Sequence, residues 1–141
     1  MHSTTLQYYI NWPEEDYATL TSIVAGRMGL VIGNKKYIRE QAFDLLKQFE
    51  IEELAFKSSV SLSQGEKQRV AVARAIANNA DLILADEPTA SLETNQGMLI
   101  IELLHNYATK QNKCVIVASH DLRLKDYADR IIYLQDGEMI R

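Results

Sequence analysis

Apolar residues recur every three or four positions in three separate stretches of the chain, which is the period of an α-helix. The first stretch runs from Lys36 to Phe49, the second from about Gly65 to Asn78, and the third from a capping Thr94 to about Lys110. We therefore predict three helices, each with one apolar face. The residues on these faces are, in chain order, Ile38, Ala42, Leu45, Leu46 and Phe49; Val70, Ala73, Ile76 and Ala77; and Met98, Ile101, Leu104 and Ala108.

Two continuous apolar runs, Leu82–Ala85 and Cys114–Ala118, flank the third helix. Runs of this kind are typical of strands buried on both faces of a parallel sheet. Strand, helix and strand in this order predict a right-handed parallel crossover. Near the C-terminus, Asp136 and Gly137 separate two short apolar segments and predict a hairpin with a tight turn. The predicted fold class is accordingly α/β.

The composition is that of an ordinary globular domain, and the net charge bears on which classes of macromolecule the protein can bind. The 141 residues are 47% hydrophobic and 24% charged, which suffices for one domain with a core. The net charge of −4 argues against a duplex-DNA surface, which needs a basic stripe, so we expect no nucleic-acid partner. The single cysteine, Cys114, cannot form an internal disulfide, and no secretory signal pattern opens the chain. These features favour a reducing, cytoplasmic setting.

Two acids, Asp86 and Glu87, follow the first predicted strand directly. Open α/β sheets bind ligands beyond the carboxyl ends of their strands. An aspartate at such an end can hold Mg²⁺, directly or through water, and an adjacent glutamate can polarise an attacking water. The simpler alternative is a pair of solvated acids at the end of a strand.

The second helix begins with the sequence pattern of a capping box, formed by Ser63 and Glu66. Free backbone N–H groups at a helix start attract an anion, and Gly65 leaves room for a phosphate to approach. A capping box without any ligand is the alternative. His120 follows the second predicted strand, where a histidine is either a solvated loop residue or a donor to a transferring phosphate.

The order of these motifs resembles the second half of the nucleotide-binding domain of ABC transporter ATPases. The resemblance extends from about Gly29 to Arg141 and is closest to the exporter branch, which includes lipoprotein-releasing, macrolide-export and heterocyst-glycolipid-export ATPases. The motifs that carry it are Leu62-Ser63-Gln64-Gly65-Glu66, Leu84-Ala85-Asp86-Glu87-Pro88-Thr89-Ala90, Ser119-His120-Asp121 and Ala128-Asp129-Arg130.

The resemblance implies a role for each of these residues in binding and hydrolysing ATP with Mg²⁺. Glu87 and His120 would be catalytic, and Asp86 would hold Mg²⁺ through water. The start of the second helix would contact the terminal phosphate of an ATP held by the opposite subunit, through Ser63, Gly65 and Glu66. The loop Ser91-Leu92-Glu93, called the dimer loop below, would touch that subunit. Two departures from the family pattern are Glu66, where glutamine is usual, and Glu93, where aspartate is usual.

The phosphate-binding loop of such enzymes is missing from the sequence. It requires two glycines five positions apart, the second followed by lysine, and none of the six glycines meets either condition. We therefore expect a partial P-loop NTPase fold without the phosphate-loop half. Residues 34–79 would form the helical subdomain with the signature motif, and residues 80–141 the second half of the catalytic core. Residues 1–33 form a poorly defined N-terminal segment and are the candidate for the glutamine-loop region, for which Gln7 is available.

The favoured function is the ATP-hydrolysing subunit of an ABC export transporter, present as an incomplete chain. Its partners would be a membrane permease subunit and a second nucleotide-binding subunit in a head-to-tail dimer, at the cytoplasmic side of the cytoplasmic membrane. The alternative is a truncated, inactive remnant that binds or complements another subunit. A non-transport ABC ATPase is less favoured, because no coiled coil, zinc module or second cassette accompanies the motifs. A half-sheet would expose an edge and an apolar face, so we expect marginal stability, oligomerisation or aggregation of the isolated chain.

Overall fold

The computed structural model describes residues 35–77 and 79–140, without the side chains of residues 35, 36 and 38. The expectations for residues 1–33, including Gln7, lie outside the described residues. Three helices and four strands are present in the described part, in the order α1 (Lys35–Gln48), α2 (Gln64–Ala77), β1 (Leu82–Asp86), α3 (Thr94–Lys110), β2 (Cys114–Ala118), β3 (Tyr133–Gln135) and β4 (Glu138–Ile140). Short 3₁₀ helices lie at Glu52–Leu54, Ser59–Ser61 and Leu122–Asp126.

The strands β1 and β2 pair in parallel, and α3 connects them as the predicted crossover requires. Their register runs from Leu82 opposite Cys114 to Asp86 opposite Ala118. Because the two strands end at the same level, the residues that follow each strand emerge side by side. The predicted hairpin is formed by β3 and β4, which are antiparallel. Asp136 and Gly137 close it with positive φ angles of 51° and 81°, as a two-residue type I′ turn requires.

One core of buried apolar side chains joins the three helices to one face of the β1–β2 sheet. Tight packing of large side chains is most complete where α1 ends, at Leu46, Phe49, Ile51 and Leu54. The α3 helix contributes a stripe of Gly97, Ile100, Ile101, Leu104 and Tyr107, one position away from the predicted Met98 and Ala108, which are half-buried. The division into subdomains at residue 79 stays a prediction.

A buried arginine closes the end of α1. Arg69 of α2 is 7% exposed, and its guanidinium donates hydrogen bonds to the carbonyls of Phe49, at 3.3 Å, and Glu50, at 2.9 Å. Glu50 has a φ of 52°, so the chain turns away from the helix there. The last carbonyls of a helix have no partner within the helix, and a cation is a favourable donor to them. Arg69 therefore fixes the packing of α1 against α2.

The prediction that both strands are buried on both faces is wrong for the described structure. Ile83 is 5% exposed and belongs to the core, whereas Leu82, Leu84 and Ile116 are 49%, 67% and 55% exposed. Side chains of a strand alternate between faces, and the helices of the described part cover only one face of this two-stranded sheet. The expected exposed apolar face is therefore present.

The start of α3 also differs from the prediction. Glu93, and not Thr94, is the N-cap, and its side chain makes no capping hydrogen bond. The backbone decides the boundary, because the N–H of Gly97 donates to the carbonyl of Glu93 at 2.8 Å. None of the described helices combines the length and the apolar character needed to cross a bilayer.

Candidate functional site

Glu87 is held at the end of β1 by the neighbouring strand. Its N–H donates to the carbonyl of Ala118, the last residue of β2, at 2.8 Å. Its φ of 47° is in the left-handed region, which a non-glycine residue adopts only when its surroundings impose it. The turn bends the chain sharply after Asp86, so the side chains of Asp86 and Glu87 point in different directions. The predicted pair of acids is thereby split into two distinct environments.

The carboxylate of Glu87 binds two residues of the loop after β2. His120 places its Nδ1 2.8 Å from Oε1, and the hydroxyl of Ser119 donates to Oε2 at 2.9 Å. The His120 hydrogen bond lowers the pKa of Glu87, with the Ser119 hydroxyl adding to the effect. The same contact raises the pKa of His120. An ionised carboxylate only accepts hydrogen bonds, so the Nδ1 of His120 carries the proton in this contact.

The other ring nitrogen of His120 is open to a ligand. The side chain is 88% exposed, and within the described residues no hydrogen bond engages its Nε2. Anchoring through Nδ1 sets the plane of the ring and leaves Nε2 for another group, an arrangement that catalytic and metal-binding histidines share. The structure thus joins the two predicted catalytic residues, and among the described residues Nε2 of His120 has no hydrogen-bond partner.

Asp86 is the last residue of β1 and is exposed. Across residues 35–77 and 79–140, no group of three His, Cys, Asp or Glu residues is placed to hold a metal ion. Mg²⁺ commonly keeps several waters and uses only one or two carboxylates together with substrate phosphates. A single accessible aspartate fits a site of that kind, and does not fit a metal site made by this part of the chain alone.

The predicted capping box at the start of α2 is present. The N–H of Ser63 donates to Oε2 of Glu66 at 2.6 Å, and the N–H of Glu66 donates to Oγ of Ser63 at 3.2 Å. The Ser63 backbone contact lowers the pKa of Glu66, and Lys57 lies 3.6 Å from its carboxylate. Each side chain of the box thus accepts a hydrogen bond from the backbone N–H of the other residue. Contact of the Ser63 hydroxyl with a ligand would need that hydroxyl to accept or donate a further bond.

The start of α2 packs against the dimer loop. A Cβ atom added to Gly65 would lie 3.2 Å from Cδ2 of Leu92 and 3.6 Å from the carbonyl oxygen of Ser91. One helical turn later, Nε2 of Gln68 donates to the carbonyl of Glu87 at 3.2 Å. One continuous region therefore contains the start of α2, which is predicted to contact phosphate, the dimer loop, and Glu87 at the end of β1.

The dimer loop follows a tight turn that begins at Glu87. The N–H of Ala90 donates to the Glu87 carbonyl at 3.0 Å, and the N–H of Leu92 donates to the Thr89 carbonyl at 3.3 Å. Ser91 has a φ of 63°, and Ser91 and Glu93 are exposed while Leu92 is half-buried. Leu92 anchors the loop to α2 and leaves the two polar residues accessible.

Four residues beside the site, Gln68, Thr89, Asp121 and Arg123, were not among the predicted site residues. The hydroxyl of Thr89 donates to Oδ2 of Asp121 at 2.7 Å, and Arg123 donates to the same carboxylate through Nε and Nη2. Arg123 and the Thr89 hydroxyl hold the pKa of Asp121 far below its ordinary value. The spacing Asp121-x-Arg123 before a short helix was the available signal, because an N-capping aspartate accepts the N–H two residues later, here at 3.0 Å. No pattern in the sequence indicated that Gln68 lies beside the site.

Comparison with known proteins agrees with the motifs. A model of the ABC transporter family matches residues 4–90. The "Uncharacterized ABC transporter ATP-binding protein MJ0796" of Methanocaldococcus jannaschii is 45% identical over 104 residues, which are 73% of this chain and 44% of that protein. The "Putative hemin import ATP-binding protein HrtA" of Staphylococcus aureus is 42% identical over 105 residues, which are 74% of this chain and 48% of that protein.

A solved structure agrees with the fold. The dimeric post-hydrolysis state of MJ0796 bound to ADP and Pi superposes with a TM-score of 0.81 at 37% identity, covering 88% of this chain and 55% of that one. The chain therefore spans about half the length of the curated relatives it matches.

Proposed function

The chain belongs to the ABC transporter family of ATP-binding proteins, and from that premise we propose that it supplies the second half of a nucleotide-hydrolysing site. The observation that carries the proposal is the contact of Glu87 with Ser119 and His120 at the joined ends of β1 and β2. The contact arranges a carboxylate and an imidazole around one exposed position. That arrangement suits the transfer of a phosphoryl group to water.

Glu87 would position and polarise the attacking water. Its lowered pKa keeps the carboxylate ionised at neutral pH, so it accepts hydrogen bonds and donates none. A lowered pKa also makes it a weak base, which favours orientation of the water over complete removal of its proton. Ser119 and His120 occupy one position on each carboxylate oxygen and leave the remaining lone pairs for the water.

His120 would face the transferred phosphate through Nε2. The contact with Glu87 raises its pKa, which favours the protonated ring with two N–H donors. A donor fixed near the γ-phosphate stabilises the charge of the transition state, because it needs no reorganisation during the reaction. Its hydrogen bond to the phosphate would also be lost when the phosphate leaves.

Asp86 would supply one carboxylate toward Mg²⁺, through water. When bound, the ion neutralises part of the charge on the phosphates of ATP. The start of α2, with Ser63, Gly65 and Glu66, would contact an ATP held by a second nucleotide-binding subunit, and the positive end of the helix dipole there suits an anion. The dimer loop, Ser91 to Glu93, would contact that subunit beside this position. Its packing on Gly65 supports the pairing of these two roles.

Another polypeptide segment, which carries the phosphate-binding loop, would bind the β- and γ-phosphates. The assembled protein would drive a membrane permease from the cytoplasmic side of the membrane. We propose export as the direction, because the motifs Leu84–Ala90 and Ser119–Asp121 resemble the exporter branch. A relative at 42% identity is named for hemin import, so transport into or out of vesicles is the measurement that decides the direction.

The test is complementation. Mixing the chain with a segment that contains a phosphate-binding loop should produce ATP hydrolysis, and Glu87→Gln should reduce it to background. Glu102→Gln is the matched control, since Glu102 is exposed on α3 away from the strand ends. Unchanged turnover in Glu87→Gln would exclude Glu87 as the residue that positions water. Turnover by the chain alone would exclude the division of the site between two segments.

A binding module without activity is the second candidate. The exposed apolar face of Leu82, Leu84 and Ile116 favours it, because such a face suits association with another subunit. ATP binding, measured on this chain with and without the complementing segment, separates the two functions. If the chain is part of an enzyme, the mixture should bind ATP. If the chain is a binding module, the two segments should associate without binding ATP.

A further inference from the structure

A network of hydrogen bonds lies beside the Glu87–His120 pair and has no role in the proposed reaction. The carboxylate of Asp121 accepts from the hydroxyl of Thr89 at 2.7 Å and from Arg123 Nη2 at 2.6 Å and Nε at 2.9 Å. Arg123 also donates through Nη1 to the carbonyl of Thr94 at 3.0 Å. Thr89 is 6% exposed and the Asp121 side chain 14% exposed, so water competes little for the bond between them, whereas the Arg123 side chain is 32% exposed.

The network attaches to both ends of the dimer loop. Thr89 lies just before the loop, and Thr94 is the first residue of α3, just after it. Asp121 is adjacent to His120 in the chain, and Thr89 is two residues from Glu87. One carboxylate–guanidinium pair thus ties the two ends of the loop to the segment that carries His120. A bidentate pair of this kind is strong and directional, because both groups are planar.

Gly97 provides the space for Arg123. A Cβ atom at this position would lie 2.7 Å from Nη2 and 2.9 Å from Nη1 of Arg123, closer than real contacts allow. The guanidinium therefore crosses the first turn of α3 directly over Gly97. Glycine is otherwise unfavourable inside a helix. The packing of Arg123 therefore explains why glycine stands at position 97, which the pattern of apolar residues along the helix does not explain.

We propose that Asp121 and Arg123 are positioning residues, which hold the dimer loop and the Glu87–His120 pair in a fixed relation, with Gly97 as the space that this contact requires. The proposal rests on the proposed function for the roles of the loop and the pair. A partner subunit that displaced the loop would pull on Thr89 and Thr94. The displacement would reach His120 through Asp121, without any contact between the partner and the histidine.

The first test uses two variants that leave the charges of the network unchanged. Thr89→Val removes one hydrogen bond, and Gly97→Ala pushes the guanidinium aside while favouring the helix itself. On the full chain, amide hydrogen exchange over residues 89–97 should become about fivefold to tenfold faster in each, the effect of losing about one hydrogen bond. The His120 Nδ1 proton resonance should shift in NMR spectra. Thr109→Val, on α3 outside both the network and residues 89–97, is the control and should change neither readout.

The second test separates geometry from charge. Arg123→Lys keeps the positive charge but cannot bind Asp121 with two parallel bonds and reach Thr94 as well. It should behave like Arg123→Gln in hydrogen exchange and in the His120 resonance. Restoration of wild-type values by lysine would show that charge alone suffices and would overturn the proposed geometry.

Both readouts are independent of ATP, so they keep this proposal separate from the proposed function. If the complemented mixture failed to hydrolyse ATP, the catalytic roles of Glu87 and His120 would be excluded. The effect of the network on hydrogen exchange and on the His120 resonance could still be measured. Unchanged exchange and an unchanged His120 resonance in Gly97→Ala and Thr89→Val would overturn the coupling, even in an active mixture. Circular dichroism of each variant establishes that the helices are intact, and Gly97→Ala is expected to retain them in full.

Discussion

The imidazole Nδ1 of His120 lies 2.8 Å from Oε1 of Glu87, although the residues are 33 positions apart in the chain. The parallel register of β1 and β2 makes this contact possible, because Asp86 and Ala118 are opposite each other at the ends of the two strands. Both residues respond to the contact, with the pKa of Glu87 lowered and that of His120 raised. The pair therefore offers tests that do not depend on ATP hydrolysis.

Replacing Glu87 by glutamine should lower the pKa of His120 toward its ordinary value of 6.5, because the carboxylate is the main cause of the increase. An NMR titration of the imidazole resonances in wild type and variant measures the change. Glu102→Gln, on the exposed side of α3, should leave the titration of His120 as in wild type. A variant in which the His120 pKa stayed raised would show that another group causes the shift.

The stability that the pair contributes should depend on pH in both directions. The folded pKa of His120 is above 6.5, so its contribution is complete below that pH and is lost as the pH rises through the folded pKa. The folded pKa of Glu87 is below 4.5, so its contribution is present above that pH and is lost as the pH falls through the folded pKa. The urea midpoints of wild type and His120→Gln should therefore differ most between pH 4.5 and 6.5, and converge above the folded pKa of His120 and below the folded pKa of Glu87. A constant difference would contradict the ionic character of the pair.

The capping box of α2 should tolerate glutamine better than alanine at position 66. Glu66→Gln keeps a side-chain oxygen that can accept from the Ser63 N–H, whereas Glu66→Ala removes that partner. Ser63→Ala removes the other half of the box and should cost about 1 kcal/mol in the free energy of unfolding. Urea denaturation of the three variants gives the order. A Glu66→Gln variant as unstable as Glu66→Ala would show that the negative charge, and not the hydrogen bond of the box, matters.

Arg69→Met should destabilise the chain by about 1–2 kcal/mol, because it leaves the carbonyls of Phe49 and Glu50 without their donor. Part of the cost is offset, since the buried Nε of Arg69, which has no hydrogen-bond partner in the described part of the chain, is removed as well. Lys67→Met, at an exposed position of the same helix, is the control for helix propensity and charge. Equal urea midpoints for the two variants would exclude the capping role of Arg69.

Leu84→Lys should reduce self-association of the isolated chain. Leu84 is 67% exposed on the uncovered face of the β1–β2 sheet, where contact between two copies would remove apolar surface from water. Val60→Lys is the matched control, because Val60 is 84% exposed but lies outside the sheet. Sedimentation velocity at several concentrations measures the change. Equal effects of both variants would indicate that added charge, and not the sheet face, is responsible.

Local patterns in the sequence account for most of the described elements. The predicted helix Lys36–Phe49 is found at Lys35–Gln48, and the predicted third helix is found at Thr94–Lys110. The capping box was also predictable, since its two residues are three positions apart and each accepts a hydrogen bond from the backbone N–H of the other. The proximity of Glu87 and His120 follows from the predicted parallel strands, because the ends of adjacent parallel strands lie together.

The sequence by itself determined the α/β order, the strand-end acids and the family, because helix period, apolar runs and motif spacing are properties of neighbouring residues. Only the tertiary structure decided which strand side chains lie on the exposed sheet face, that Gln68 reaches the carbonyl of Glu87, and that Arg123 crosses Gly97. Those contacts join residues from different elements. Their geometry depends on how the elements pack, since the distance between two side chains on separate helices or strands is set by the core and not by their separation in sequence.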